Sequence, residues 1–256
     1  MGRLDGKRCI ITGGGSGMGR AAALLFANEG GIVSVFDVQS DAAESTVSQI
    51  KQAGGKAAAY VCDVTNEQSV QKSVDQAVNA MGGIDVCWSN AGTGDGGTVV
   101  TTPLEHWEKI IRINMTGMFL MSKYVVPHLV EAGGGSLILT SSAGVLGSTP
   151  GVVSNMAAKG GVLGLTRQIA ADFAAKNVRV NAICPGPIMT YALTSAMEDR
   201  ATAAGLPKDA YMDLMAKNHP RGRVGKPEEV ANVALFLASD ESSWVNAQFI
   251  NVTGVN

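Results

Sequence analysis

Seven short apolar runs, separated by stretches with helical spacing, leave this chain few ways to fold. Each run is about the length of one strand and is apolar nearly throughout, which is typical of strands buried on both faces of a parallel sheet. The runs lie at residues 8–13, 32–37, 57–62, 84–89, 136–141, 178–184 and 249–252. Strands that alternate with helices, without a linker, predict an α/β fold with one doubly wound parallel sheet in a single domain over residues 1–256.

The stretches between the runs contain start and stop signals of helices. Residues 65–68 form a Thr-Asn-Glu-Gln sequence that predicts a capping box at the start of the third helix. Residues 103–129 predict one long helix, bent near Pro127. A further helix is predicted over 154–175, and Pro227 is predicted to occupy the first position of another.

A glycine-rich turn joins the first strand to the first helix. Glycines let the backbone turn tightly and approach a pyrophosphate, while the amides and dipole at the start of a helix favour an anion. The turn follows a strand and opens a helix, which is the context that makes this motif specific. We predict that it binds the phosphates of a dinucleotide through Gly13, Ser16, Gly17, Met18 and Gly19.

An acidic residue, Asp37, ends the second strand. A carboxylate at this place accepts hydrogen bonds from the ribose hydroxyls of adenosine and repels a 2′-phosphate. Residues 38–40 contain no arginine or lysine to bind such a phosphate, so NAD is predicted rather than NADP. In a simpler interpretation Asp37 only caps the following helix, although Ser40 or Asp41 would serve equally well.

The ends of the next two strands are predicted to complete the nucleotide site. Ligands of doubly wound sheets bind in the crevice at the carboxyl ends of the strands. We predict that the adenine lies against the end of the third strand and the ribose against the end of the fourth. The residues are Asp63 and Val64, followed by Asn90, Ala91 and Gly92.

Together with motifs further along the chain, these segments resemble the short-chain dehydrogenase/reductase family over essentially the whole sequence. The further motifs are Ser89-Asn90-Ala91-Gly92, Asn114, Ser142, Lys159 and Pro185-Gly186-Pro187-Ile188-Met189-Thr190. The resemblance implies a Rossmann-like domain, oxidation of alcohols or reduction of ketones with NAD or NADP, and a homotetramer. It also implies that Pro185, Gly186, Ile188 and Thr190 contact the cofactor and that Lys159 binds its nicotinamide ribose.

The family's catalytic unit is incomplete in this sequence. An asparagine, a serine, a tyrosine and a lysine act together in the family, and these roles fall on Asn114, Ser142, position 155 and Lys159. Position 155 lies 13 residues after Ser142 and four before Lys159, as the resemblance requires, but it is an asparagine. The family's tyrosine exchanges the substrate proton, whereas the amide of Asn155 only forms hydrogen bonds.

Three hypotheses follow from Asn155. The first is an NAD-dependent dehydrogenase in which the tyrosine was replaced deliberately to stop turnover. The second is a natural variant that uses a water, another reaction or another acid–base group such as Tyr191, which otherwise forms a wall of the substrate pocket. The third is a non-enzymatic protein that binds NAD as a ligand.

The substrate is predicted to be a small molecule, namely a medium-sized or bulky apolar secondary alcohol or its ketone, such as a cyclic, aryl or steroid-like compound. Residues 186–225 look loop-like and are predicted to form a lid over the substrate, with Gly94–Gly97 and Val145–Gly147 as further walls. Methionine side chains adapt to irregular apolar shapes, although those of the lid also suit simple packing onto the body. The methionines in question are Met189, Met197, Met212 and Met215.

Composition argues against several other functions. A net charge of −2 without a basic run makes nucleic acid and anionic membranes poor partners, and no apolar run is long enough to span a bilayer. The four cysteines have no Cys-x-x-Cys spacing, which predicts buried, reduced thiols and a cytoplasmic location. The three histidines are scattered, so no metal site is predicted.

Overall fold

A seven-stranded parallel sheet forms the centre of the protein in a computed structural model, which describes residues 2–94, 96–147, 149–190, 193–194, 197–198, 201–202 and 204–255. The strands are β1 Arg8–Thr12, β2 Ile32–Asp37, β3 Lys56–Val61, β4 Val86–Ser89, β5 Gly135–Thr140, β6 Val178–Pro185 and β7 Phe249–Val252. Each boundary lies within two residues of the predicted one. The prediction of seven strands is confirmed.

Helices connect these strands and cover both faces of the sheet. They are α1 Gly17–Asn28, α2 Ser40–Gln52, α3 Glu67–Met81, α4 Leu104–Ile111, α5 Gly117–Glu131, α6 Val153–Phe173, α7 Lys208–Asn218 and α8 Pro227–Ala238. A π turn lies at Arg112–Thr116, and 3₁₀ turns lie at Ala143–Val145, Ala174–Lys176 and Asp240–Ser242.

The strand order is β3-β2-β1-β4-β5-β6-β7. From β1 the chain runs outward to β3 and then returns to β4 on the other side of β1, so the order reverses between these two central strands. In doubly wound sheets the crevice at this reversal, outside the carboxyl ends of the strands, binds the ligand. The single-domain, doubly wound fold is confirmed, and its topology puts the site where Thr12 and Ser89 end their strands.

Alternate residues of each strand point to opposite layers of the core. Ile11 packs with α1, α2 and α8 through residues such as Phe26, whereas Ile10 packs with α3, α5 and α6 through residues such as Met121. Both faces are therefore buried, which explains why the strands are nearly continuous apolar runs. Cys9, Cys62, Cys87 and Cys184 are buried and free of disulfides, as predicted.

The prediction of one helix over 103–129 is confirmed except for an interruption that it did not include. Helical backbone runs without a break from Leu104 to Glu131, with the π turn Arg112–Thr116 between α4 and α5, and Pro127 lies inside α5 without ending it. A π turn inserts an extra residue into a helix and often lies at a functional site. Here it places Asn114 in the interior, with no exposed surface. Because the turn has no distinctive composition, the sequence did not reveal it.

Two other local predictions need correction. Residues 186–225 are not irregular throughout, because Lys208–Asn218 forms α7; none of its side chains is buried, so it lacks a clear apolar stripe. The capping box at 65–68 is absent: Asn66 caps α3 by accepting from the Ser69 amide at 3.0 Å. The Thr65 hydroxyl makes no capping hydrogen bond to α3 and donates instead to Asp63 at 2.7 Å.

Candidate active site

The glycine turn leaves the first amides of α1 without side-chain caps. Ser16 is the N-cap residue, but its side chain makes no capping hydrogen bond. A Cβ on Gly19 would lie 2.2 Å from the Gly13 carbonyl oxygen, so only glycine allows this packing of helix against turn. Gly17 has φ +52°, a conformation that glycine adopts without strain. Uncapped helical amides next to a tight backbone turn form a binding site for phosphate.

Asp37 stabilises the turn from the end of β2. One carboxylate oxygen accepts the Gly15 amide at 2.9 Å, and the other accepts the Gln39 amide at 3.0 Å. Asp37 precedes the N-cap residue of α2, Gln39, and is not itself a cap. Each carboxylate oxygen accepts more than one hydrogen bond, so Asp37 remains able to bind a diol from the groove beside it.

Thr12 joins the glycine turn to the end of β4. Its hydroxyl accepts the backbone amides of Asn90 and Ala91, each at 2.9 Å, and its carbonyl accepts the Asn90 side-chain amide at 3.1 Å. The remaining Asn90 side-chain oxygen is buried and has no partner among the described residues. A buried acceptor without a donor is costly, so this atom fits a ligand that brings a hydroxyl or an amide.

Two adjacent cavities lie along the carboxyl ends of the strands and share Gly92 and Thr93 as lining residues. The two together are called the groove below. The first has about 1290 Å³ of empty volume and includes Asp37 and Asp63. The second has about 820 Å³ and includes Asn155. Two adjacent cavities of this size suit a two-part ligand, with a nucleotide in the first and a reacting group in the second.

Asn155 is positioned by Asn114 from the π turn. The Asn114 side-chain amide donates to the Asn155 side-chain oxygen at 2.8 Å. Asn114 is itself fixed by Thr93, whose amide donates to it at 2.9 Å and whose carbonyl accepts from it at 2.8 Å. Asn155 therefore has a defined orientation in the cleft, and Asn114 lies behind it.

Lys159 lies one helical turn beyond Asn155 and is 6% exposed. Its ammonium donates to the Thr140 carbonyl at 2.8 Å, and its own carbonyl accepts the Ser141 hydroxyl at 2.8 Å. Burial disfavours the charged form and lowers the pKa of Lys159 to about 8. Ser142 begins the adjacent 3₁₀ turn, where its hydroxyl accepts the Gly144 amide at 3.2 Å.

Known proteins are similar to this chain in sequence and in fold. A family model described as enoyl-(acyl carrier protein) reductase matches residues 13–254. The 3-oxoacyl-[acyl-carrier-protein] reductase of Thermotoga maritima is 38% identical over 252 residues, 98% of this chain and 98% of that protein. The chain belongs to the short-chain dehydrogenase/reductase family.

Other members of this family are similar over nearly their full lengths. The 7α-hydroxysteroid dehydrogenase of Escherichia coli is 36% identical over 98% of this chain and 94% of its own. The crystal structure of levodione reductase matches with a TM-score of 0.94 at 31% identity, over 98% of this chain and 97% of that one. The protein is therefore an oxidoreductase of the short-chain dehydrogenase/reductase family, whose relatives act on alcohols or ketones.

Most of the predicted site residues of this short-chain dehydrogenase/reductase line the groove. Gly17, Gly19 and Asn114 do not: a Cβ at Gly17 would lie 3.2 Å from the Thr190 side chain, Gly19 packs on Gly13, and Asn114 lies behind Asn155. The predicted residues that line it are Gly13, Ser16, Met18, Asp37, Asp63, Val64, Asn90, Ala91, Gly92, Ser142, Asn155, Lys159, Pro185, Gly186, Ile188 and Thr190.

Sequence reasoning missed some residues and misplaced others. Thr93, Thr140 and Leu193 also line the groove; Thr93 and Thr140 lie just after β4 and at the end of β5, which is the signal that could have identified them. Tyr191, the proposed alternative acid–base group, lies outside the described residues.

Only some of the residues predicted to form the substrate walls lie in the cleft. Gly94 and the buried Met197 line the cleft, whereas Met189 is 45% exposed and Met215 lines a neighbouring cavity. Val145 packs instead against a small apolar cluster that includes Leu163. Asp95 of the Gly94–Gly97 wall lies outside the described residues.

The described part of the chain contains no group of three or more histidine, cysteine, aspartate and glutamate side chains placed to bind a metal. Within the same residues, no helix combines the length and the apolar character needed to cross a bilayer.

Proposed function

We propose that this protein is an NAD-dependent oxidoreductase that interconverts an apolar secondary alcohol and its ketone, and that Asn155 impairs its proton transfer. One observation carries the proposal. Asn155 lines the cleft together with Ser142 and Lys159, with its side-chain oxygen bound to Asn114 at 2.8 Å. An amide that does not titrate thus stands where the family resemblance places a phenol.

The choice of NAD over NADP rests on Asp37. Its carboxylate lines the first cavity, and residues 38–40 supply no positive charge. A 2′-phosphate there would meet the negative charge of Asp37 with no cationic side chain at residues 38–40 to pair with it, whereas ribose hydroxyls would donate to the carboxylate. Lys109 and Arg112 also line this cavity, so the choice rests on the Asp37 carboxylate and not on the net charge of the cavity. Asp63 adds a second carboxylate to the same cavity. When bound, the cofactor would supply the hydride acceptor or donor.

The residues of the chain itself would bind the substrate oxygen and the cofactor. Ser142 would hold the substrate oxygen with its hydroxyl, and Lys159 would contact the nicotinamide ribose. Asn155 would donate a hydrogen bond to the same oxygen without exchanging a proton. A missing general acid–base group typically lowers a rate by about 10²–10⁴-fold. We therefore expect binding to be intact and turnover to be weak.

An apolar substrate is supported by the outer part of the catalytic cavity. Met18, Ile188, Leu193 and Met197 line it alongside Pro185. Pockets of this kind favour ligands with a large apolar surface and one or two polar groups. The polar side of the cavity, at Ser142 and Asn155, would receive the hydroxyl or carbonyl. The names of the steroid dehydrogenase and levodione reductase relatives agree with this class of substrate. Residues 186–225 would act as the lid.

Restoring the phenol tests the proposal. We expect Asn155→Tyr to oxidise cyclohexanol about 10²–10⁴ times faster than the unaltered protein, while NAD affinity in calorimetry changes little. Asn155→Phe is the matched control, because it adds the ring without the hydroxyl and should gain no activity. Equal rates in the Tyr and Phe variants would contradict the assigned role of position 155. Failure of the unaltered protein to bind NAD would contradict the proposal as a whole.

We propose a homotetramer as the assembly. Ala157 and Gly164 are exposed small residues on α6, and Phe119 of α5 is a large apolar side chain that is 49% exposed. Small residues allow close helix packing between subunits. Light scattering should give four times the chain mass of 26.4 kDa, and a monomer would contradict this.

We also propose a cytoplasmic location, which agrees with the four free thiols. Cell fractionation would check it.

A further inference from the structure

Lys159 is the ionisable side chain of the catalytic cavity. Among the described residues that line this cavity, every other side chain is apolar, an amide or an aliphatic hydroxyl. None of those groups exchanges a proton in the neutral pH range. If the cavity performs acid–base chemistry, Lys159 is its one described candidate.

The charge of Lys159 has little support from its surroundings. Its ammonium has three N–H donors, and one of them bonds to the Thr140 carbonyl at 2.8 Å. No carboxylate acts on it among the described residues; the titratable neighbour is the thiol of Cys184. Burial raises the pKa of that thiol, which therefore stays neutral near pH 7. The neutral amine is thus accessible at mildly alkaline pH, because burial lowers the pKa of Lys159 to about 8.

Asn155 leaves more room in the cavity beside Lys159 than a tyrosine would. Asparagine is much shorter than tyrosine, and the hydrogen bond from Asn114 holds its side-chain oxygen at 2.8 Å. Ser142 and Lys159 line the same cavity, so a substrate oxygen held by Ser142 would share that cavity with the amine. If the substrate oxygen and the Lys159 amine nitrogen lie too far apart for a direct hydrogen bond, one water would bridge them.

We propose that Lys159 itself exchanges the substrate proton in this protein, in place of the phenol that position 155 lacks. The inference rests on the proposed function and deepens it. In oxidation, the O–H bond of the alcohol breaks and its proton forms an N–H bond on the neutral amine. The oxygen electron pair forms the C=O bond, and the hydride of the carbinol carbon goes to the oxidised nicotinamide. Reduction uses the ammonium and runs these transfers backwards.

The pH dependence follows from this proton balance. Oxidation requires the neutral amine, so its rate should rise as pH increases through the pKa of Lys159, about 8. Reduction requires the ammonium, so its rate should fall over the same range. The Asn155→Tyr variant has a second acid–base group. In that variant the midpoint of the rate–pH profile should therefore no longer equal the pKa of Lys159.

Three measurements test the proposal. The ε-carbon resonance of Lys159, assigned with Lys159→Met, gives the lysine pKa in the free protein by NMR. The pH profile of cyclohexanol oxidation should have the same midpoint. Lys159→Ala should lower the rate by about 10²–10⁴-fold, and added primary alkylamines should restore part of it, with a rescue rate that rises with amine basicity. A lysine that only binds ribose would not produce that dependence.

The outcomes separate this inference from the proposed function. If NAD does not bind, the proposed function itself fails. If NAD binds and Asn155→Tyr is active, but the unaltered protein has no turnover at any pH, the inference about Lys159 fails alone. It also fails if the midpoint of the oxidation pH profile differs from the lysine pKa. It fails likewise if Tyr191→Phe abolishes activity and added amines do not restore activity to Lys159→Ala.

Discussion

The two cavities of the groove depend on very different amounts of the chain. The first cavity, which we propose binds the nucleotide, combines backbone amides and glycines of the turn with the carboxylate of Asp37. The second cavity, which we propose is catalytic, depends on a few side chains, above all Asn155 and Lys159. Under the proposed function, one replacement would change the chemistry in the second cavity and leave binding in the first. Binding spread over many backbone groups is robust, whereas proton transfer depends on single titratable atoms.

The gain of activity expected for Asn155→Tyr is the largest effect and sharpens this comparison most. It changes the catalytic cavity alone. A large change in NAD affinity in the same variant would break the comparison, because it would mean that the two cavities are coupled through position 155.

Gly19→Ala should act on the first cavity instead and lower the affinity for NAD. The new methyl group would lie 2.2 Å from the Gly13 carbonyl oxygen, so the turn must open. Forcing a side chain into a packed site costs about 1–3 kcal/mol, which corresponds to a loss of about five- to 150-fold in NAD affinity. Calorimetric titration with NAD measures this loss.

Gly147→Ala is the matched control for that substitution. A Cβ at Gly147 meets no atom within 4 Å, so NAD affinity should stay unchanged. If Gly19→Ala binds NAD as tightly as the control does, the glycine turn does not hold the phosphates.

Asp37→Asn should have the smallest effect and should alter cofactor choice more than binding. The amide keeps an acceptor for the Gly15 N–H but loses the charge. Hydrogen bonds to charged groups are worth about 1 kcal/mol more than neutral ones, so NAD affinity should fall about fivefold. NADP affinity should rise, because the repulsion of its 2′-phosphate is removed.

Asp41→Asn removes the same charge from the first turn of α2 without touching the glycine turn. Both cofactors should bind to this control as they bind to the unaltered protein. Tighter binding of NADP than of NAD before any substitution would show that the cofactor assignment is wrong.

The sequence predicted the strands well because each is an apolar run of distinctive length. It predicted most groove residues because parallel strands bring their carboxyl ends to one edge, so residues such as Asp37 and Asn90 meet there. It did not predict the π turn, since Arg112–Thr116 resembles ordinary helix in composition. It also missed α7, whose residues bury no apolar face.

The absence of a phenol at position 155 was determined by the sequence alone, because two independent spacings identify the position. What surrounds that position was decided by the tertiary structure. Asn114 reaches Asn155 from 41 residues away, and Thr140 binds Lys159 from 19 residues away. The lowered pKa of Lys159 arises from burial among such distant segments. Local sequence determines which groups are present, but desolvation depends on how the whole chain packs around them.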